Sequence, residues 1–434
     1  MKALETASIL RHFVWAKWRA ANLHGEKLER FQDIRAQKIV RYALEHSPFY
    51  RTFWSGYNPE HWRTLPTLGK TEMLEHFSSF NTRGISREAA FSAAQAAETG
   101  SSSSLKPQLQ GLTAGFSSGT SGTRGLFLLA KDEQAAWTGT VLARVLHSLK
   151  PERVALFLRA GSDLYEGVGR GKFIQFRYFP LTLDLEHIIL ELNKYRPTLI
   201  IGPASLLERV AQVVNRLNFR PDRLIVVAEV LEPQDKTRLE RIFQGPVHQI
   251  YQATEGFLAA SCAHGRLHLQ EDIVAIQLEP LGEERFTPVL TDLWRRVQPI
   301  VRYRLKDVLQ LLSEVCPCGS SWRTVGVEGR MSDLFQLEDF HGNARVLFPD
   351  VLRHLIFSSS AQIQDYAAVQ DRSGHLRIHL ELPSSADLKQ IQTQLCAQLE
   401  GYGFRNIRLE VVSGLPDRPL EVKRRRMVRA EGKT

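Results

Sequence analysis

Between residues 150 and 250 short apolar runs alternate with amphipathic ones, and this rhythm limits the fold more than any other feature of the chain. "RVALFLRA", "TLIIGP", "RLIVVAE" and "VHQIYQ" are compact apolar blocks bounded by turn residues, whereas "EHIILELNKYR" and "SLLERVAQVVNRLN" place their apolar residues at helical spacing. Strand, helix, strand, helix, strand is the pattern of βαβ units, so the segment predicts a mostly parallel sheet covered by helices. Sheets of this kind bind ligands in the crevice outside the carboxyl ends of their strands. Polar residues that directly follow these runs are therefore the first candidates for function.

The flanks read differently. Residues 1–95 are expected to be helical: "LERFQDIRAQKIVRYALEHSPFYRTFW" carries apolar residues at helical spacing and stops at Pro48. Residues 96–330 form the core with the sheet, and from 265 to 325 runs such as "RLHLQEDIVAIQLEP" and "RFTPVLTDL" suggest antiparallel strands. Residues 331–434 begin again with the hairpin-like "YAAVQDRSGHLRIHLEL", a helix near 386 to 400 and "IRLEVVSG", a small α+β unit. The expected fold is α/β: a large N-terminal domain with a βαβ parallel sheet and an antiparallel subdomain, and a small α+β C-terminal domain. The 434 residues, 43% of them hydrophobic, suffice for cores of this number.

Composition excludes several classes. No apolar run approaches the ~20 residues that span a bilayer, and the N-terminus lacks the pattern of a secretory signal, so a cytoplasmic protein without a transmembrane segment is expected. Four cysteines are too few for a disulfide scaffold. The net charge of +9 comes largely from "VKRRRMVR" near the C-terminus, with no basic stripe elsewhere, which argues against nucleic acid and leaves acidic ligands or acidic carrier proteins as partners.

The stretch "GFSSGTSGTRG", residues 115–125, is rich in glycine and hydroxyl side chains and is followed by the apolar "LFLLA". Glycine lets backbone approach an anion closely, and N–H and hydroxyl groups can all donate to it, so the run suits a phosphate. A flexible Ser/Gly linker is the competing reading. The run lacks the lysine of GxxxxGK[ST] and does not fit GxGxxG. Farther on, "YQATEG" puts Thr254 and Glu255 at a strand end, a place for a carboxylate that holds Mg²⁺ against a nucleotide phosphate. "VRYRLKDVL" offers Asp307 to a pair of ribose hydroxyls, and "EGR" sets Arg330 at the edge of the small domain; a surface turn, a solvated charge on a strand and a helix cap are the competing readings of the three segments. "CAHGRLH" and "CPCG" contribute Cys262, His268, Cys316 and Cys318, a soft donor set for a tetrahedral structural Zn²⁺, with His264 competing for the histidine position. Buried thiols and a core histidine are the alternative.

In this order, the Ser/Gly/Thr loop, the aromatic-x-x-Thr-Glu, the Tyr-Arg-x-x-Asp, the Gly-Arg and a small C-terminal domain resemble the adenylate-forming superfamily of acyl-CoA synthetases, adenylation domains and luciferases. The resemblance is closest to a short branch that contains phenylacetate-CoA ligase, coenzyme F390 synthetase and capsule-biosynthesis relatives, within it to adenylate-forming enzymes related to F390 synthetase, and "YALEHSPFYRTFW" and "LPTLGKTEMLEHF" extend it to the N-terminal helices. It implies that Ser117, Ser118, Gly119, Thr120, Ser121, Gly122 and Thr123 hold the β- and γ-phosphates of ATP. Thr254 and Glu255 would position the α-phosphate and Mg²⁺, Asp307 would bind ribose, and Ala228 and Glu229 would flank adenine. Tyr251 would lie beside nucleotide and acid, with Phe257 and Tyr165 as further lining residues. Arg330 would contact the nucleotide and orient the small C-terminal domain, which the resemblance implies is mobile, and Lys423 would neutralise charge at the α-phosphate. His268 is preferred over His264 because related members show a similar Cys…Gly-x-His pattern, and because a strand residue is better fixed than a loop one.

The implied activity is ATP-dependent conversion of a carboxylic acid, aryl or hydroxybenzoate-like by branch analogy, to an acyl-adenylate. Transfer to the thiol of CoA or an acyl carrier protein would follow. Three departures leave a catalytically degenerate nucleotide- or partner-binding relative as the alternative. The loop ends "TRG" rather than in Pro-Lys, Ser332 replaces the first aspartate of GRxDD, and Val422 replaces the glycine before the lysine. "KRRR" is open to two readings: a catalytic Lys423, or a solvated basic run that docks the acceptor.

Overall fold

The computed structural model describes residues 2–98, 109, 111–116, 124–146, 150–158, 174–420 and 422–430. Its contacts divide the chain into two units, one of residues 1–305 with 311–326 and one of residues 306–310 with 327–434.

The first unit opens with helices α1 (Lys2–Asn22), α2 (Gly25–His46) and α3 (Pro48–Phe53), then α4 (Lys70–Glu75), α5 (Phe77–Phe80) and α6 (Arg87–Glu98). The break between α2 and α3 follows from Pro48: the residue before a proline is pushed out of the helical region, and Ser47 sits extended at φ −111° while Pro48 starts the next helix. The helices anchor the chain that later forms the site. Tyr50 is fully buried, donates its hydroxyl to the Pro299 carbonyl at 2.8 Å and receives the Val301 N–H at 3.3 Å. Leu68 brackets Tyr303 in a short parallel bridge, with Leu68 N–H to Arg302 O at 3.1 Å and Arg304 N–H to Leu68 O at 2.8 Å. The motifs "YALEHSPFYRTFW" and "LPTLGKTEM" thus clamp the backbone of "QPIVRYR".

Strands β1 (Thr113–Phe116) and β2 (Leu126–Leu129) form an antiparallel hairpin, and α7 (Lys131–Val145) follows. Buried Asp272 receives both Arg19 of α1 at 2.8 Å and Arg144 of α7 at 2.7 Å, which fixes the two helices to one point. The parallel sheet runs β4 (Ile174–Pro180), β3 (Glu152–Leu158), β5 (Leu199–Gly202), β6 (Arg223–Val226) and β7 (Val247–Ala253). Crossovers through α8 (Leu185–Tyr195), α9 (Ala204–Gln212) and α10 (Pro233–Phe243) join β4 to β5, β5 to β6 and β6 to β7. Ala155, Phe157, Leu199 and Val226 are closed to solvent, as are Ile188, Leu192, Leu207 and Leu239 on the helices, so apolar burial holds the layers together. This is the expected βαβ architecture. The sheet turns antiparallel at β8 (Gly256–Ser261) and β9 (Leu267–Leu269), and β10 (Val274–Gly282) pairs antiparallel with β11 (Arg285–Asp292), which pairs with the short β12 (Tyr303–Arg304).

Strands β13 (Asp307–Leu312) and β14 (Thr324–Arg330) each contain a boundary between the two units. In the second unit β15 (Phe335–Asp339), β16 (Ala344–Leu347) and β19 (Phe404–Arg405) make one sheet. Strands β17 (Asp365–Gln370), β18 (Leu376–Glu381), β20 (Leu409–Ser413) and β21 (Met427–Arg429) make another. Helices α11 (Pro349–Ser359) and α12 (Leu388–Gly401) complete a separate core that includes Phe335, Leu352, Ile378, Leu395 and Phe404. Among the described residues no helix is long and apolar enough to cross a membrane.

Candidate active site and metal centre

Adjacent parallel strands end side by side, and the segments that follow their carboxyl ends carry several of the candidate residues. After β6, Ala228 takes a left-handed conformation at φ 64°, uncommon for a residue with a Cβ, and the neighbouring turn is closed by Glu229 N–H to Val227 O at 2.8 Å. Glu229 is buried, and its carboxylate accepts from the Ser205 N–H at 2.9 Å and the Ser205 hydroxyl at 3.0 Å. It supplies the acceptor that Pro203 cannot offer at the start of α9. Tyr251 on β7 lies at a register shift between Tyr251 and Gln252, a bulge that re-aims side chains, and is half-buried. Phe257 is buried in the core. Tyr165 lies outside the described residues.

After β7 the chain reverses through Thr254 and Glu255, with Ala253 paired to Gly256. Glu255 is only 7% exposed. Its Oε2 accepts the Thr254 hydroxyl at 3.0 Å, and the Tyr303 hydroxyl donates to the same carboxylate. Tyr303 is 1% exposed, and burial, the adjoining Glu255 charge and that hydrogen bond together push its pKa far upward, which keeps it a donor. Sequence reasoning named Asp307 in "VRYRLKD" and passed over Tyr303, although the tyrosine stood in the same motif.

The turn is also held from behind. Buried Arg295 donates Nη1 to the Thr254 carbonyl at 2.7 Å and Nη2 to Gln298 Oε1 at 3.1 Å. Gln298 in turn accepts the Leu128 N–H at 2.9 Å and donates to Leu126 O at 3.2 Å, both on β2. Glu133 ties Val297 N–H, at 3.0 Å, to the start of α7, where its other oxygen accepts the Ala130 N–H at 2.8 Å. Asp292 accepts the N–H groups of Trp294 and Arg295 at 2.8 and 2.9 Å, and burial pushes its pKa up to about 6. The polar segment 292–298 is therefore a hub between the Thr-Glu turn and the strand that leaves the Ser/Gly/Thr loop. No motif reading pointed to it.

Ser117, Ser118, Gly119, Thr120, Ser121, Gly122 and Thr123 lie outside the described residues. Their flanks are ordered as a hairpin: Phe116 pairs with Leu126, and Arg124 stacks 4.4 Å over the Phe116 ring. A Cβ at Gly115 would meet the ring of Phe127, its partner across the strands, so any larger residue there would have to displace that ring.

In the second unit, Asp307 and Arg330 face each other with Nε to Oδ1 at 3.6 Å. Lys423 is half-buried. The three arginines after it pair with carboxylates rather than standing as a solvated run. Arg425 forks onto Asp333, with Nε to Oδ2 at 2.9 Å. Arg426 reaches Asp365 at 2.7 Å, and Arg424 approaches it at 3.8 Å. Two carboxylates distant in sequence fold this charge inward, and charge runs alone do not reveal such partners.

Cys262, His268, Cys316 and Cys318 converge, their donor atoms all within 4.8 Å of one another. Cys262 Sγ lies 3.6 Å from Cys316 Sγ, and Cys318 Sγ lies 3.4 Å from His268 Nε2. Zn–S bonds of ~2.3 Å and Zn–N bonds of ~2.0 Å at tetrahedral angles require donor separations of roughly 3.5–3.8 Å, and the Cys262–Cys316 and Cys318–His268 separations lie close to that range. His268 Nδ1 lies 2.9 Å from the Trp322 carbonyl, which selects the tautomer that turns the Nε2 lone pair toward the thiols. Burial lowers the His268 pKa, favouring the neutral, ligating form. His264 is exposed in the loop and outside the cluster, and Cys396 lies elsewhere as a free thiol.

No family model matches the chain. Phenylacetate-coenzyme A ligase of Thermus thermophilus is 23% identical over 393 residues, 82% of this chain and 80% of that protein. Protein CapK of Staphylococcus aureus is 22% identical over 252 residues, 56% of this chain, and the match spans about half of that protein's length, 55%. Among solved structures, 2-hydroxyisobutyryl-CoA ligase in the postadenylation state with 2-HIB-AMP superposes with a TM-score of 0.68 at 17% identity, covering 94% of this chain and 90% of that one. Anthranilate CoA ligase AuaEII with anthranoyl-AMP gives 0.51 at 12% identity, covering 71% and 64%. The fold is that of the acyl-CoA ligases.

Proposed function

We propose that this chain, a member of the adenylate-forming superfamily related in sequence to phenylacetate-CoA ligase, uses ATP to convert a carboxylic acid to an acyl-adenylate and passes the acyl group to a thiol. A carboxylate oxygen of the acid attacks the α-phosphorus, and the bond to pyrophosphate breaks. The acceptor sulfur then attacks the acyl carbon, and AMP leaves. The carboxylate is already a nucleophile, so alignment and neutralisation of charge on the phosphorus oxygens lower the barrier, with little need of acid or base groups.

The observation that carries this reading is the Thr254–Glu255 turn. A nearly closed carboxylate, oriented by two hydroxyls and braced through Arg295, sits directly after a parallel strand. Glu255 would hold Mg²⁺, which when bound supplies positive charge at the phosphate oxygens, and Thr254 would orient the α-phosphate. The loop 117–123 would hold the outer phosphates, Ala228 and Glu229 would flank adenine, Asp307 would take the ribose, and Arg330 and Lys423 would contact the nucleotide from the small domain. Cys262, His268, Cys316 and Cys318 would hold a structural Zn²⁺. The half-buried Tyr251 on its bulge favours an aryl acid, and anthranilate, the acid named for one structural neighbour, is of that class. CoA is the acceptor named in the relatives, and an acyl carrier protein is the alternative thiol.

Incubating the purified protein with ATP, Mg²⁺, hydroxylamine and a panel of aryl and aliphatic acids tests the activity. Acid-dependent pyrophosphate and hydroxamate formation is the expected result, strongest with a benzoate. No acid-dependent turnover across the panel would leave a nucleotide-binding relative in its place.

A further inference from the structure

Resting on the reading that Lys423 assists adenylation, we propose that Asp333 is a positioning residue for that lysine and acts through Arg425. The segment that carries Lys423 is a loop between β20 and β21, and it holds four consecutive cations, Lys423 to Arg426. Left to themselves such charges repel and spread into solvent. Here successive arginines alternate between two carboxylates. Arg424 and Arg426 go to Asp365 at the start of β17, and Arg425 goes to Asp333 in the helical turn Met331–Asp333 that follows Arg330.

The two attachments differ in kind. Asp365 and Arg426 are almost closed to solvent, with side chains 8% and 6% exposed, and the backbone beside them belongs to the sheet: Ala368 N–H donates to Arg426 O at 2.7 Å, and Met427 pairs with Ala368. This attachment builds the sheet edge. The Asp333 attachment grips the loop itself. Arg425 meets Asp333 with both arms of its guanidinium, its carbonyl accepts from Arg418 Nη1 at 2.7 Å, and Val422 N–H closes a turn onto Pro419 O at 3.0 Å. A two-armed fork fixes direction as well as distance, which a lysine in Arg425's place would not do. Asp333 is 9% exposed at its side chain and Arg425 30%, so solvent reaches the pair chiefly from the arginine's side. Lys423 lies two residues from the fork, and the fork sets where its backbone stands.

The test compares Asp333→Asn, Arg425→Met, Lys423→Ala and the double variant Asp333→Asn/Lys423→Ala in the full chain. The assay is ATP–pyrophosphate exchange with the acid selected by the hydroxylamine panel, after thermal melting has shown each variant folded. Asp333→Asn and Arg425→Met are expected to lower kcat at least about tenfold with KM for ATP changed less than about twofold, the signature of an interaction realised in the transition state. The double variant should be no slower than Lys423→Ala alone, because the aspartate acts through the lysine. A purely architectural pair would lower the melting temperature and leave kcat intact. Should Asp333→Asn itself fail to fold, Arg425→Lys, which keeps the charge and loses the fork, carries the same expectation. Normal exchange in the Asp333 and Arg425 variants with a crippled Lys423→Ala overturns this inference alone, and so does an additive double variant. Normal exchange in Lys423→Ala overturns the reading on which it rests.

Discussion

Glu255 keeps a carboxylate in a place almost closed to solvent, and that is tolerable because two hydroxyls, from Thr254 and Tyr303, compensate it. Replacing it with Gln keeps the volume and removes the charge that would hold Mg²⁺. Adenylation should fall by at least about two orders of magnitude, in line with loss of a transition-state charge contact, with a melting temperature close to that of the parent. Pyrophosphate release measures the first, and unchanged release would dismiss the assignment. Tyr303→Phe tests the support: it removes one donor from a buried acceptor, at a cost of about 1–3 kcal/mol in stability, and adenylation should weaken about tenfold without being abolished. Asp292 titrates in an unusual window. Its pKa of about 6 in the folded chain stands above the ordinary carboxylate value of about 4, so between those pH values the folded state keeps a proton that the unfolded chain has released. The stability this contributes is full below that window and is lost as pH rises through about 6. Relative to Asp292→Asn, the parent should therefore lose of the order of 3 kcal/mol from pH 4 to 7, read from urea midpoints. Parallel curves for the two proteins would show that the carboxyl ionises normally.

At the scale of elements, the cysteine cluster joins the end of β8, strand β9 and the loop between β13 and β14, segments some fifty residues apart in the chain. A bound Zn²⁺ would tie these antiparallel pieces together, and Trp322, which holds His268 through its carbonyl, also donates its ring N–H to Leu23 O at 2.8 Å. The purified protein is expected to carry about one zinc per chain. Cys316→Ser should lower both zinc content and melting temperature, as measured by elemental analysis and a thermal melt. Full stability without metal would reduce the cluster to buried thiols. The residue types, their spacing and the preference for His268 over His264 were legible in the sequence, and the structure adds the geometry: the strand holds His268 against Trp322, while His264 is exposed in a turn. The segment 292–298 is the opposite case. Its arginine and glutamine have no helical or strand period, and their function as a brace exists only because β2, α7 and the Thr-Glu turn meet there.

Across the whole molecule, the two units have separate cores, and the cysteine cluster lies wholly within the first. The sequence by itself determined the layered α/β architecture, because apolar runs at strand and helix periods have few ways to bury themselves other than a parallel sheet under helices. It also determined which residues carry charge and soft donors, and in what order. Tertiary structure decided what those residues face. Glu229, which follows strand β6, turns its carboxylate to Ser205 at the head of α9, far from it in sequence. Tyr303, passed over in a motif, donates to Glu255. Arg424, Arg425 and Arg426, which a charge count reads as a solvated tail, fold onto Asp333 and Asp365. The reason is physical: periodicity reports how each residue stands toward its own element and the solvent, whereas an ion pair or a hydrogen bond depends on a partner whose distance along the chain carries no information about its distance in space.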